Sequence, residues 1–423
     1  MNAARSRTLT LAIGAATLVA ATLLVLAVAG ADAAGPTAAD QRLEQVLRGR
    51  QLVITHDCGA CHGGGTDPRS DDWLVGGLPG AGAGLRVLSR NLTPDPETGI
   101  GRYTERQLFN AMRWGLRPSA TPDVDITSAT PGVGNHPLQP DYLAPAMPWT
   151  SWRNLSDQEL WDMIAYLMDG VRAVRNDVPE SEKPADRWAG WFRPEVIGPY
   201  PILPFPAAGE ELRAPDRLEE VLRGRRLVTS MGCGECHGGR GNPASPHWLA
   251  GTWAGAAGDT GTAAADVPTA VVASARAVTV TAGPYEGPFV VGELTVRARN
   301  LTPDNVTGIG RFSERQLFNA LRWGLRPGET EDAVITSHVP GEGNHPVHPK
   351  YLPPMMPWVA FRQLADDELR DIVAYLKYGV RPNRHRVPAS DGPPDFWAGV
   401  FAPAALPPMP PPAFPTARER GRF

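Results

Sequence analysis

This chain lacks a large excess of charge of either sign. Its 423 residues carry 41 basic and 45 acidic side chains, a formal net charge of −4, so it offers no strongly basic face to nucleic acid. Cysteine is scarce. The four present fall in two close pairs, a poor supply for stapling a chain of this length. After residue 29 no further apolar run is long enough to cross a bilayer. A hydrophobic share of 42% against 20% charged residues excludes a disordered chain. What abounds is glycine, at 45 residues, and proline, at 44, which argues for short elements joined by long ordered loops. The length itself calls for two or three domains.

Arg5 and Arg7 precede an uncharged stretch from Leu9 to Ala29, about 21 residues and long enough to span a membrane. That is long for a cleavable signal, yet Ala31-Asp32-Ala33 fits a small-x-small cleavage site. Residues 1–36 are therefore expected to be an uncleaved anchor or a signal peptide, with the rest of the chain outside the cytoplasm.

The chain repeats itself. Leu43–His62 matches Leu218–His237, and Asn91–Pro118 matches Asn300–Pro327. Gly134–Pro137 returns as Gly343–Pro346, and Met147-Pro148-Trp149 as Met356-Pro357-Trp358. The second copy is longer by about 34 residues, inserted between Thr252 and Glu293. The expected organisation is one domain over 37–192, a Pro-rich linker over 193–214, and a second domain over 215–401 with its insertion at about 252–293. A Pro-rich tail over 402–423 is expected to lie on the surface or hang free.

The expected fold is all-α. A first helix starts near Thr37 and Asp40 and buries Leu43, Val46 and Leu47 at helical spacing. Thr104 with Gln107, Ser313 with Gln316, and Ser156 with Glu159 each form a capping-box pattern. Where the second copy replaces Ser156 by Ala365, Asp366 is expected to cap one residue later. In the insertion, Val278 and Val280 alternate with threonines before Gly283-Pro284, and Phe289–Val296 is β-branched, which predicts a β-hairpin.

The chemistry sits in the cysteines. Cys58-Gly59-Ala60-Cys61-His62 and Cys233-Gly234-Glu235-Cys236-His237 are both C-x-x-C-H, the attachment signature of c-type haem. One helical turn presents both sulfurs along one edge of a flat macrocycle, and the following His points its imidazole at the iron. Zinc half-sites, redox dithiols and disulfides compete with this reading. Two matched motifs behind an export segment, without a βαβ pattern, favour haem. A second axial ligand must survive duplication, and of nine methionines only Met147 and Met356 coincide in the two copies. His136 and His345, the other histidines kept in both, are the rival ligands. Arg86 and Arg90, with Arg297 and Arg299, are candidates for haem propionates or a solvated strand face. Trp73, Trp248, Trp149 and Trp358 are expected to wall the pockets.

These residues carry a resemblance. The motifs, Gly49 and Gly224, Asn91–Asp95, Gly99-Ile100-Gly101, Met147–Trp149 and Ala165–Leu167, with their second copies, resemble the class I c-type cytochrome family. The arrangement is similar to the multi-haem cytochrome subunits of bacterial alcohol and gluconate dehydrogenases. The resemblance implies two tandem cytochrome c domains and two covalently bound haem c groups, with His62 and His237 proximal and Met147 and Met356 distal. It also implies close crossing of the first and last helices at Gly49 and Gly224, against Tyr166 and Tyr375. The chain departs from those subunits in having two motifs instead of three, and in its insertion.

A His/Met iron has no open position, so the function expected is one-electron transfer, without catalysis of its own. Electrons would pass from a dehydrogenase or quinol-oxidising complex to a terminal oxidase or soluble cytochrome. The site of action would be the periplasmic face of the bacterial inner membrane, reached through the N-terminal segment. The alternative is a di-haem redox enzyme such as a peroxidase, with one iron open to substrate.

Overall fold

The computed structural model describes residues 37–80, 85–252, 267–273, 276–282, 289–291 and 293–421. The apolar run Leu9–Ala29 lies outside them, and no described helix is long and apolar enough to cross a membrane. Contacts divide the chain into two compact units, residues 1–45 with 423, and residues 46–422. Within the first unit the helix start is built as its sequence predicts. Asp40 Oδ2 accepts from the Thr37 backbone N–H at 2.9 Å, while Thr37 Oγ1 accepts from the Asp40 N–H at 3.2 Å.

The larger unit is helix-rich. In the first half the main elements are α1 (Ala38–Thr55), α2 (Cys58–His62), α3 (Glu105–Trp114), α4 (Trp149–Trp152) and α5 (Asp157–Ala165). The second half repeats them as α6 (Leu218–Ser230), α7 (Cys233–His237), α8 (Glu314–Trp323), α9 (Trp358–Phe361) and α10 (Asp366–Tyr378). Both capping-box starts of α3 and α8 form, as does that of α5. At α10 the expectation fails. Ala365 remains the N-cap and offers no side-chain acceptor, while its N–H still donates to Glu368 at 2.8 Å. Asp366 is drawn away by Arg322, 2.5 Å from its carboxylate, because a buried guanidinium competes better for it than a helix N–H does.

Four apolar clusters form, two in each half. Val46, Val53, Ile54, Leu108, Met112, Leu160, Met163 and Ile164 pack together with Cys58, and Val221, Val228, Leu317, Leu369, Ile372 and Val373 form the counterpart. Each such fully buried aliphatic side chain contributes about 1.5–3 kcal/mol. The crossing of α1 with α5 depends on Gly49, where an added Cβ would lie 1.8 Å from the Asp162 carbonyl oxygen. Gly224 repeats that clash distance against Asp371. Both aspartates then hold the crossing from outside, through Arg48 at 2.8 Å and Arg223 at 2.7 Å.

The strands are few. β1 (Pro79–Gly80) pairs with β2 (Val87–Leu88), and β3 (Val267–Ala273), β4 (Arg276–Ala282), β5 (Phe289–Val291) and β6 (Leu294–Val296) form an antiparallel sheet in sequence order. The turn segment Gly283-Pro284 lies outside the described residues.

The C-terminal tail does not hang free. It crosses to the first half, where Arg172 N–H donates to the Arg418 carbonyl at 2.9 Å and Glu419 is 0% exposed. The expectation of a surface course or a free end did not include the ionic anchor at its end.

Candidate functional site

The two C-x-x-C-H motifs fold as single helical turns with the same entry and exit. Asp57 at φ 57 and Gly232 at φ 71 enter in the left-handed region, and Gly63 and Gly238, both at φ 101, leave it. A turn this tight needs those conformations, which glycine adopts without strain and aspartate tolerates. The four thiols are free rather than bridged. Burial raises the thiol pKa of Cys58, and loss of solvation raises those of half-buried Cys233 and Cys236 to about 12, which disfavours the thiolate a redox dithiol needs. Among the described residues no cluster of three or more His, Cys, Asp or Glu side chains could hold a metal ion, which leaves the zinc reading without its donor set.

Each motif histidine is oriented by a backbone carbonyl. His62 Nδ1 lies 2.7 Å from the Arg90 oxygen, and His237 Nδ1 lies 2.7 Å from the Arg299 oxygen. A carbonyl only accepts, so Nδ1 carries the proton and Nε2 keeps its lone pair, the tautomer and support a ligating imidazole needs. Burial holds His62 down to about 4 and lowers His237 as well, keeping both rings neutral. Arg90 and Arg299 thus serve through their main chains. Their guanidinium groups donate to the carbonyls of Pro179 and Pro388, both at 2.8 Å.

Met147 packs on the apolar cluster that contains Cys58 and Trp73, and Met356 on the cluster of Cys233 and Trp248. Both sit in the same bend, with the N–H of Trp149 or Trp358 donating to the methionine carbonyl at 2.8 Å. His136 and His345 are elsewhere. Each Nδ1 donates to the carbonyl of the next proline at 3.2 Å, and each ring tilts against a tyrosine, Tyr142 or Tyr351, in the neighbouring cluster.

The tryptophans divide. Trp73 and Trp248 belong with the cysteines: a Cβ on Gly59 or Gly234 would come within 2.7 or 2.5 Å of their rings. Trp149 and Trp358 stack on Tyr142 and Tyr351, with centroids 5.8 Å apart, and belong to the second cluster of each half. The Asn91 loop is structural, its side chain accepting from the Thr93 N–H at 2.9 Å and donating to the Val174 carbonyl at 2.8 Å.

Whether the residues suit a porphyrin is testable on this chemistry. Both halves supply two unpaired sulfurs, one neutral imidazole with a free Nε2, and one thioether on the same cluster. Both also leave matching buried indole N–H groups without a partner, at Trp114, Trp149 and Trp188 and at Trp323, Trp358 and Trp397. Buried donors without acceptors are costly, and their repetition in both halves suits an anionic edge group such as a propionate.

The sequence reading missed an inner layer. Trp73 Nε1 donates to Tyr166 Oη at 3.0 Å, which donates to Glu419 at 2.6 Å, and Arg50 forks onto the same carboxylate at 2.7 and 3.2 Å. Trp248, Tyr375, Glu210 and Arg225 repeat it at 2.8, 2.6, 2.7 and 3.0 Å. Aligning the linker with the tail would have found it: Phe205-Pro206 and Glu210 recur at the spacing of Phe414-Pro415 and Glu419.

Residues 46–170 match the cytochrome c family. The gluconate 2-dehydrogenase cytochrome c subunit of Pantoea cypripedii is 28% identical over 351 residues, 78% of this chain and 59% of that one. The fructose dehydrogenase cytochrome subunit of Gluconobacter japonicus is 26% identical over 290 residues, 68% of this chain and 47% of that one. The chain therefore spans about half of these two relatives. A "Diheme cytochrome c-type" protein of Cereibacter sphaeroides is 27% identical over 244 residues, 55% of this chain and 72% of that one. Residues 46–170 are thus similar to a cytochrome c domain, in a chain similar to cytochrome subunits of dehydrogenases and to a di-haem cytochrome.

Proposed function

We propose that the chain is a di-haem electron carrier built from two tandem cytochrome c domains. The observation that supports it is duplication of a complete site: a C-x-x-C-H turn, a carbonyl-tied histidine, and a methionine on the same apolar cluster. Cys58 and Cys61 would hold one porphyrin edge by thioethers, and Cys233 and Cys236 the other haem's. His62 and His237 would ligate the irons through Nε2, and Met147 and Met356 through their thioether sulfurs. Haem c bound in this way supplies a one-electron couple with no open iron position. The polypeptide's part is to keep both imidazoles neutral, fix their tautomer and exclude water. A thioether ligand and burial both favour the ferrous form and raise the potential.

The relatives' names support a dehydrogenase as electron donor. We further propose an oxidase or another cytochrome as acceptor, on the periplasmic side of a bacterial membrane, with residues 1–36 as leader or anchor on the strength of the apolar run Leu9–Ala29. The peroxidase alternative gains nothing, since the two methionine bends are alike. The test is purification from a host competent in cytochrome maturation. The mass should exceed the apoprotein by two haem groups, and Met147→Ala or Met356→Ala should each remove half of the methionine–iron charge-transfer band. A colourless product, or one haem per chain, overturns the reading.

A further inference from the structure

The two segments rich in proline exchange places. The one that follows the first half begins there, where Arg113 donates to Tyr200 Oη at 2.8 Å and Arg153 to the Ile197 carbonyl at 2.6 Å. It ends in the second half, where Glu211 N–H donates to the Gly379 carbonyl at 3.1 Å and Arg381 N–H to the Gly209 carbonyl at 3.0 Å. The segment that follows the second half begins on its own side, with Gln363 donating to the Pro408 carbonyl at 2.9 Å. It ends in the first half, where Arg420 N–H donates to the Gly170 carbonyl at 2.8 Å. Each strap delivers one carboxylate into a core that is not its own: Glu210 is 1% exposed and Glu419 0%.

What these carboxylates meet is the site itself. Arg50 and Arg225 are 8% and 9% exposed, and each forks onto the delivered carboxylate. Without it a guanidinium would stay buried and uncompensated, an arrangement that costs several kcal/mol. The same oxygen takes the hydroxyl of Tyr166 or Tyr375, which in turn holds the indole of Trp73 or Trp248 against the cysteine turn.

We infer that Glu419 and Glu210 are positioning residues for the two haem sites and that they act crosswise. Glu419, carried by the segment after the second half, sets the environment of the first site, and Glu210, carried by the segment after the first half, sets that of the second. Each acts in two ways, by cancelling the arginine charge and by fixing the tyrosine that orients the indole. Charge gives the direction. An uncancelled guanidinium near an iron that gains an electron favours the reduced state, so loss of the carboxylate charge raises the potential of that site alone. Neither half is then complete without chain from beyond the other.

This inference rests on the two-haem reading, and haem content per chain is measured first to separate failure of one from failure of the other. The test uses the full chain in two backgrounds, Cys58→Ala with Cys61→Ala and Cys233→Ala with Cys236→Ala, each retaining one haem. Glu419→Gln should raise the midpoint potential of the first haem, changing its reduced-to-oxidised ratio at fixed poise by about tenfold, and leave the second unmoved. Glu210→Gln should do the reverse. Adding Arg50→Gln to Glu419→Gln removes the imbalance and should bring the first potential back toward the parent's. If the Gln variants do not fold, Glu419→Asp and Glu210→Asp carry the test through Soret circular dichroism, with a change confined to the opposite half supporting the inference. A fall in thermal stability with both potentials unchanged, or a shift in the haem of the same half, overturns it.

Discussion

The halves share one skeleton and differ in what surrounds it. The first carries Ala60 inside its C-x-x-C-H turn, and the second carries Glu235, whose carboxylate accepts from Thr150 at 2.9 Å and Ser151 at 3.3 Å. Those hydroxyls lie on α4, three and four positions after Met147, so the C-x-x-C-H turn of the second half is bonded to the helical turn that follows the methionine bend of the first. The corresponding positions after Met356 are Val359 and Ala360, which have no hydroxyl to give. A second contrast lies in the straps. Tyr200 meets Arg113 with a hydroxyl, but at the equivalent place Met409 offers only sulfur, 3.7 Å from Arg322 and 3.5 Å from Arg362. There Arg362 keeps Nη1 unpartnered, and a cavity of about 310 Å3 opens beside Arg322, Asp366 and Met409. Duplication preserved the bonds that shape each site and left the side chains at the junctions free to diverge.

The largest effect should come where the halves are most alike. Gly49→Ala and Gly224→Ala each drive a methyl into a carbonyl 1.8 Å away, and each should cost about 3 kcal/mol in denaturant unfolding. A markedly smaller loss in one half would show that its helices separate more easily than their equal geometry implies.

A middle-sized effect tests the asymmetric junction. Glu235→Ala makes the second turn like the first and leaves two hydroxyls without an acceptor. The expected loss is about 2 kcal/mol, seen as a lower thermal midpoint at unchanged haem content. Equal stability of variant and parent would mean that water replaces the carboxylate there.

The smallest effect is one of pH. Burial alone would raise the carboxyl pKa of Glu159, but bonds from the Ser156 N–H and hydroxyl and the charge of Arg226 bring it below its usual 4.5. Such a group stabilises the fold fully above pH 4.5 and loses that contribution as pH falls through the lowered value. Glu159→Gln should therefore flatten the acid limb of the stability–pH curve. In the other half, Gln51 stands where Arg226 does and donates instead to the Gln363 carbonyl at 2.6 Å. Arg226→Gln, which gives the second half the residue of the first, should flatten the curve less than Glu159→Gln does, and an unchanged curve would show that the arginine contributes nothing.

Much of this was legible in the residues. The repeat, the cysteine turns and the three true capping boxes are local or periodic features, and local geometry follows from residue type and spacing; the glycine crossings, which join distant helices, were expected only through the family resemblance. Asp366 shows where that reasoning stops: its residue type suits a cap, yet a guanidinium from another helix took it. Arg90 and Arg299 mark the same limit, since a sequence announces a guanidinium and says nothing of the carbonyl beside it.

Residue order by itself determined two matched C-x-x-C-H turns, the helices that carry them and the methionines that accompany them, because each depends on neighbours a few positions apart or on self-comparison of the chain. Only the tertiary structure decided which carboxylate neutralises which buried arginine. Glu419 stands 369 positions from Arg50, and what joins them is the burial of a charge that must find its opposite wherever the chain can bring it.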